Sequence, residues 1–256
     1  MLRPRIIPCL LVKNKGLVKT INFTAPKYVG DPINAVKIFN EKEVDELIFL
    51  DIDATKNEKE PSFDLIRNIA GECFMPFAYG GGIKSLEQIE MMIKSGAEKI
   101  IINTRAFLQR NFIKEAADRF GSSTIVVSID VKKGLFEKST VYIKGGTLNT
   151  GKNPVDYARE MEDLGAGEIM INSIDRDGLM EGYNIELIKG ISEAVKIPVI
   201  ACGGAGKLSD LSSVTKIANA SAAAAGSMFV YHGSRNAVLI NYPDIKELLK
   251  TLEKVK

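Results

Sequence analysis

The strongest constraint on this 256-residue chain is that it repeats itself. The segment "DELIFLDID" (45–53) lies on "GEIMINSID" (167–175) at a shift of 122 residues, setting Glu46 on Glu168 and Asp53 on Asp175. "PFAYGGG" (76–82) lies on "PVIACGG" (198–204) at the same shift. "IIINT" (100–104) falls on "AAAGS" (223–227) at 123, and "CLLVKNKG" (9–16) matches "SIDVKKG" (128–134) at 119, with Leu11 on Asp130. Four correspondences in order, at a nearly constant shift, mark an internal duplication.

Each half alternates short β-branched runs with amphipathic helical stretches. Strands are predicted at 5–10, 46–51, 76–79, 99–103, 124–129, 168–173, 198–202 and 221–226. Helical stretches between them include "DPINAVKIFNEKE", "SLEQIEMMIKSG", "NPVDYAREMEDLG" and "NIELIKGISEAV". In the second of these, Leu86, Ile89, Met92 and Ile93 fall at the three-to-four spacing of a face packed on a sheet. Strand then helix, eight times in one chain of this length, predicts an α/β fold: a single (β/α)8 TIM barrel. Its two half-barrels span about 1–120 and 121–256. The long connection 133–152 contains the alternating "STVYIKGG", which suggests a small inserted hairpin. Residues 14–31, "NKGLVKTINFTAPKYVGD", read as a mobile loop after the first strand.

Composition narrows the chemistry. The net charge is +2 and no Lys/Arg run is interleaved with aromatics, so nucleic acid is not an expected partner. No apolar stretch reaches the ~18–20 residues of a membrane span, and no signal peptide is expected. Cys9, Cys73 and Cys202 have no metal-type spacing and read as reduced thiols of a cytoplasmic protein. With His232 the single histidine, no metal site or cofactor is expected. Acid–base work falls to Asp, Glu, Lys and backbone amides.

Barrel chemistry sits at the C-terminal ends of the strands. Gly81-Gly82 and Asn103-Thr104 end strands three and four, and their repeat partners Gly203-Gly204 and Gly226-Ser227 end strands seven and eight. Glycine lets backbone N–H groups approach an anion closely, so the repetition suits two phosphate sites on opposite sides of the mouth. The plainer use of these glycines is tight turns. Strand-end carboxylates are Asp51, Asp53, Asp130, Asp175 and Asp177. Alternation puts Asp51 and Asp53 on one face, which suits the upper layer of the barrel interior. Asp130 is the best acid–base candidate, the alternative being a cap or loop salt bridge. In "SIDRDG", one of the two aspartates is positioned to orient Arg176. Lys19, in the 14–31 segment, is placed to close over a phosphate, unless it is simply solvated.

These residues carry a resemblance over the whole chain. "RIIPCL", "DELIFLDI", "GGGI", "INT", "VVSID", "GAGEIMINSIDRDG" and "ACGGAGK" together resemble the cyclase subunit of imidazole glycerol phosphate synthase. That resemblance implies a lyase-type synthase subunit of a glutamine amidotransferase complex. A glutaminase partner docks at the N-terminal face of such a barrel. Ammonia then passes through its core to a bisphosphorylated ribulosyl substrate. It further implies Asp130 as general acid, and site roles for Asp51, Asp177 and Lys19. Phosphates are expected at Gly82, Asn103, Thr104, Gly204, Gly226 and Ser227. Arg5, Glu46, Lys99 and Glu168 fill a ring of charges at the ammonia entrance.

The departure from that pattern is Leu11, which stands where the family's second acid–base aspartate, the general base, belongs. Asn172 stands where the family usually has threonine, and Leu179 in "DRDGLMEG" replaces another. The opening "LRPRIIPCLLVKNKGLVKT" and the tail "VYHGSRNAVLINYP" are more similar to a paralogue associated with surface-sugar pathways. That similarity implies support for converting an acetamido to an acetamidino group in an O-antigen-type sugar, alongside an ATP-using amidotransferase. His232 then reads as structural or interfacial. The alternatives are a true cyclase in which water or Asp51 replaces the base, a sugar-phosphate isomerase or epimerase, and a purely structural role.

Overall fold

The computed structural model describes residues 3–134, 138–233 and 235–253. Eight strands run β1 (Arg5–Lys13), β2 (Leu47–Asp51), β3 (Phe77–Gly80), β4 (Lys99–Ile102), β5 (Ile125–Lys133), β6 (Glu168–Ser173), β7 (Val199–Cys202) and β8 (Ala222–Ala225). Each pairs in parallel with the next, and β8 pairs with β1, so the sheet closes into a barrel. Both faces of these strands are covered, which is why they read as continuous apolar runs. The intervening helices are α1 (Pro32–Glu41), α2 (Phe63–Glu72), α3 (Leu86–Lys94), α4 (Phe112–Phe120), α5 (Pro154–Asp163), α6 (Ile185–Ser192), α7 (Leu208–Lys216) and α8 (Ile245–Glu253).

The duplication is visible in how helices start. Asp31 accepts from the Ile33 and Asn34 N–H groups ahead of Pro32, and Asn153 does the same for Val155 and Asp156 ahead of Pro154. Such caps satisfy orphan N–H groups and contribute ~1 kcal/mol each. Phe39, Phe49, Tyr79 and Ile66 fill the layer between strands and helices. A second, narrower core fills the barrel itself: Ile7, Ile48, Ala78, Ile101, Val126, Met170, Ile200, Ala222 and Ala224. Alternation explains the split. On β1, for example, Ile6 and Leu10 face the helices while Ile7 and Cys9 face inward.

Three expectations change. The first strand extends to Lys13, and segment 14–31 is an antiparallel ribbon, Gly16–Ile21 against Thr24–Gly30, rather than a loop. Likewise β5 runs on to Lys133, and Ser139–Ile143 pairs antiparallel to it, Asp130 opposite Tyr142, before meeting Leu148–Asn149. The inserted hairpin therefore exists but is built on the strand itself; residues 135–137 of that connection lie outside the described residues. Both half-barrels thus prolong their first strand above the mouth. The helices are one to three residues shorter at their ends than the amphipathic stretches. His232 lies exposed in a short ribbon, Tyr231–His232 against Ala237–Val238. Among the described residues no helix is long and apolar enough to cross a membrane.

Candidate functional site

The C-terminal strand ends converge on one cavity, the mouth of the barrel. Two residues per inward step bring Cys9 and Leu11 on β1 to the same cavity as Ser128 and Asp130 on β5, the opposite strand of the barrel, with Asn172 on β6 and Cys202 on β7. Leu11 is 8% exposed, its backbone register partners being Leu50 and Val18. Asp130 is 7% exposed. Burial pushes its carboxyl up to about 7, helped by the like charge of Asp177 and opposed by the Ser128 hydroxyl, which donates at 3.4 Å. A carboxyl poised near neutrality can both hold and release a proton under ordinary conditions.

The other carboxylates separate. Asp51 lines the mouth, and burial raises its pKa, but one of its oxygens accepts the Asp53 and Ala54 N–H groups, both at 3.0 Å. That turn rotates Asp53 outward to Asn57 at 2.6 Å and Lys59 at 3.5 Å, so the expected shared face for Asp51 and Asp53 is not formed. Asp177 is drawn in. It accepts from the Thr20 hydroxyl at 2.6 Å and the Phe23 N–H at 3.2 Å, tying the 16–30 ribbon across the mouth. Asp175 points away and accepts from the Lys133 N–H at 2.7 Å. Neither orients Arg176, which donates to the Gly182 carbonyl at 3.0 Å instead; the three-residue turn 174–176 fans the side chains apart.

Lys19 sits on the ribbon as a strand residue only 6% exposed, which corrects its placement in a mobile loop. A side-chain carbon at Gly226 would lie 2.1 Å from its Nζ, so the ammonium occupies the space glycine leaves at the end of β8. Among the described residues no carboxylate comes within ion-pair range of it. Ser227 is buried beside it. Across the mouth, Gly82 donates to the Thr55 hydroxyl at 3.2 Å, and Asn103 donates to the Ser128 carbonyl at 3.0 Å. Thr104 donates to Asn103 at 3.1 Å and accepts the Lys144 N–H at 3.0 Å. Asn103 and Gly226, equivalent in the repeat, share a kinked backbone (ψ −84° and −70°) before one-turn helices. The Gly204 carbonyl accepts the Gly182 N–H at 2.8 Å. All six residues expected to meet phosphate line this one cavity.

Sequence reading missed several mouth residues. Ser128 was recoverable, since it lies two positions before Asp130 on the same face. Thr20 and Phe23 reach the mouth only because the ribbon folds over it. Cys9 and Cys202, read as simple thiols, both face the barrel interior, where burial and the neighbouring sulfur raise the Cys202 pKa. Among the described residues no group of three or more His, Cys, Asp or Glu side chains is placed to hold a metal.

At the opposite, N-terminal end the four predicted charges form a closed ring. Arg5 meets Glu46 at 2.5 Å and Glu168 at 3.0 Å, while Lys99 meets Glu46 at 3.2 Å and Glu168 at 3.0 Å. Each cation bridges both acids. Partly buried charges are costly without such pairing. One oxygen, Glu46 Oε1, has no partner among the described residues.

The family profile described as histidine biosynthesis protein matches residues 5–235. Over 248 residues, 97% of this chain and 99% of the relative, the chain is 52% identical to a Pseudomonas aeruginosa protein named provisionally as imidazole glycerol phosphate synthase subunit hisF2. It is 47% identical over 254 residues to a Vibrio vulnificus protein named in the same provisional way as subunit hisF3, covering 99% and 98% of the two chains. The imidazole glycerol phosphate synthase subunit HisF of Alkaliphilus metalliredigens is 40% identical over 253 residues, again 99% and 98% of the two. Identity at this level across nearly the whole barrel makes the chain a member of the histidine biosynthesis protein family, as a cyclase-like subunit of the imidazole glycerol phosphate synthase type.

Proposed function

We propose that this barrel receives ammonia at its charged N-terminal face from a docked glutaminase and delivers it at the mouth without performing the family's cyclisation itself. In this role it supports amidation of an acetamido to an acetamidino group on a surface-polysaccharide sugar, with an ATP-using amidotransferase as the acceptor-activating partner. The observation that carries this reading is Leu11. It faces the same cavity as Asp130, at the position where the cyclase pattern requires a second carboxylate. A hydrocarbon can neither take nor give a proton, and loss of such a group costs ~10²–10⁴ in rate. The ring of Arg5, Glu46, Lys99 and Glu168 is meanwhile complete, which supports retention of the entrance.

In this reading Asp130 remains as an acid, and Lys19 stands at the Gly226–Ser227 end as the cation for an anionic ligand. Gly204 shares that side; Gly82, Asn103 and Thr104 form the other. Asp51 contributes negative charge to the mouth, while Asp177 holds the ribbon. The second reading is a genuine cyclase of histidine biosynthesis, favoured by the similarity to subunits bearing that name.

One assay separates the two: the purified protein with the bisphosphorylated ribulosyl substrate and excess ammonium salt, beside Leu11→Asp. Absence of turnover in the wild type, with turnover gained by Leu11→Asp, supports a lost base in an otherwise conserved mouth. Robust wild-type turnover overturns the proposal in favour of the cyclase.

A further inference from the structure

The interior between ring and mouth is apolar: Ile7, Ile48, Ala78, Val126, Met170 and Ala224 contribute no hydrogen-bonding side-chain atom beyond the weakly accepting sulfur of Met170. At its two ends stand two buried side-chain acceptors without partners among the described residues, Glu46 Oε1 at the ring and Asn172 Oδ1 at the mouth. Asn172 is 6% exposed and lines the cavity. On β6 it is two inward steps above Glu168, with Met170 between, so one face of one strand runs from ring to amide. Its backbone register partner on β5 is Asp130. A side-chain carbon at Gly203 would come within 2.9 Å of Asn172 Oδ1, so glycine keeps the space beside this oxygen clear.

A buried acceptor left unpaired is destabilising and calls for a donor. A donor arriving through an apolar interior has to be small and uncharged, because charge is strongly penalised there. Ammonia meets both conditions. It carries three N–H groups and one lone pair, so an oxygen that takes one N–H anchors the nitrogen and keeps its lone pair directed away from that oxygen. We propose that Asn172 is a nitrogen-positioning residue: its Oδ1 takes an N–H of ammonia emerging from the barrel and holds the nitrogen at the mouth with its lone pair free. Leu11, across the cavity, offers no competing acceptor. This inference rests on the ammonia-receiving function proposed above, and it adds the residue that holds the nitrogen.

The test is NMR of the full chain during titration with ammonium chloride at about pH 8, where some free ammonia is present. Sodium chloride at equal ionic strength and sodium formate serve as controls. The Asn172 side-chain amide and the Gly203 backbone amide are expected to shift saturably with ammonium and not with sodium chloride. Asn172→Leu raises the half-saturating concentration at Gly203 by about tenfold, the value of one hydrogen bond. Asn172→Asp, which keeps an acceptor, retains the response and guards against simple misfolding of the leucine variant. Equal shifts with ammonium and sodium, an unchanged response in Asn172→Leu, or a response to formate instead would each overturn the inference. The broader function is scored separately, by ammonia transfer from glutamine in the assembled complex. Transfer with a silent Asn172 removes only the inference, whereas a responding Asn172 without transfer removes only the glutaminase reading.

Discussion

Replacing Asp130 by asparagine should stabilise the barrel, and increasingly so as pH rises. An aspartate in an unfolded chain titrates near ~3.9, whereas burial on β5, between Ser128 and its register partner Asn172, pushes the folded-state value up to about 7. The folded state therefore binds this proton more tightly than the unfolded state. Below about pH 3 both states are protonated and Asp130 costs nothing. As pH rises toward about 7 the unfolded state ionises first and stability falls; above that the loss levels off. Three pKa units at ~1.4 kcal/mol each put the plateau at about 4 kcal/mol. About a third of it is already present near pH 5, so roughly 2.5 kcal/mol develops between about pH 5 and pH 8. The amide of the variant cannot ionise, and its carbonyl can still accept from the Ser128 hydroxyl. Urea unfolding of wild type and Asp130→Asn at several pH values measures this directly. The stability gap should widen in favour of the variant as pH rises. A gap that stays constant, or narrows, would refute the claim that Asp130 is a desolvated acid. Such a residue is stability surrendered for a poised proton, the usual exchange at a functional site.

Two further perturbations test other parts of the molecule. Lys99→Met leaves Glu46 and Glu168 sharing Arg5 alone, and breaking a buried pair of this kind costs about 3 kcal/mol; denaturant unfolding should detect it, with Lys99→Arg recovering most of the loss. Gly204→Ala places a carbon 2.2 Å from the Gly182 carbonyl at a backbone φ of +114°; it should lower stability by about 2 kcal/mol, read as a fall in the melting temperature, and loosen the mouth.

The architecture was legible in the chain before any coordinates. Duplicated segments and strand–helix alternation specify eight units, because one inward face and one outward face must both be apolar for a barrel to close. Repetition marks the six strand-end residues in pairs, which placed them at one mouth, whereas the four ring positions were expected from the family resemblance, with only Glu46 and Glu168 paired by the repeat. How the carboxylates divide was not. Asp51 and Asp53 lie two residues apart, yet the strand stops at Asp51 and the following turn sends Asp53 outward. Asp175 and Asp177 flank Arg176 in sequence, but one bonds to β5 and the other to the ribbon. The ribbon itself was illegible as structure, because its alternation is weak and its partner strand is the prolongation of β1. Its folding over the mouth brings Lys19 against Gly226, near the other end of the chain. Likewise, the unpaired oxygen of Asn172 is a property of what does not surround it. Local sequence sets periodicity and turn chemistry; which polar atoms are left without partners is settled when distant strands close the circle.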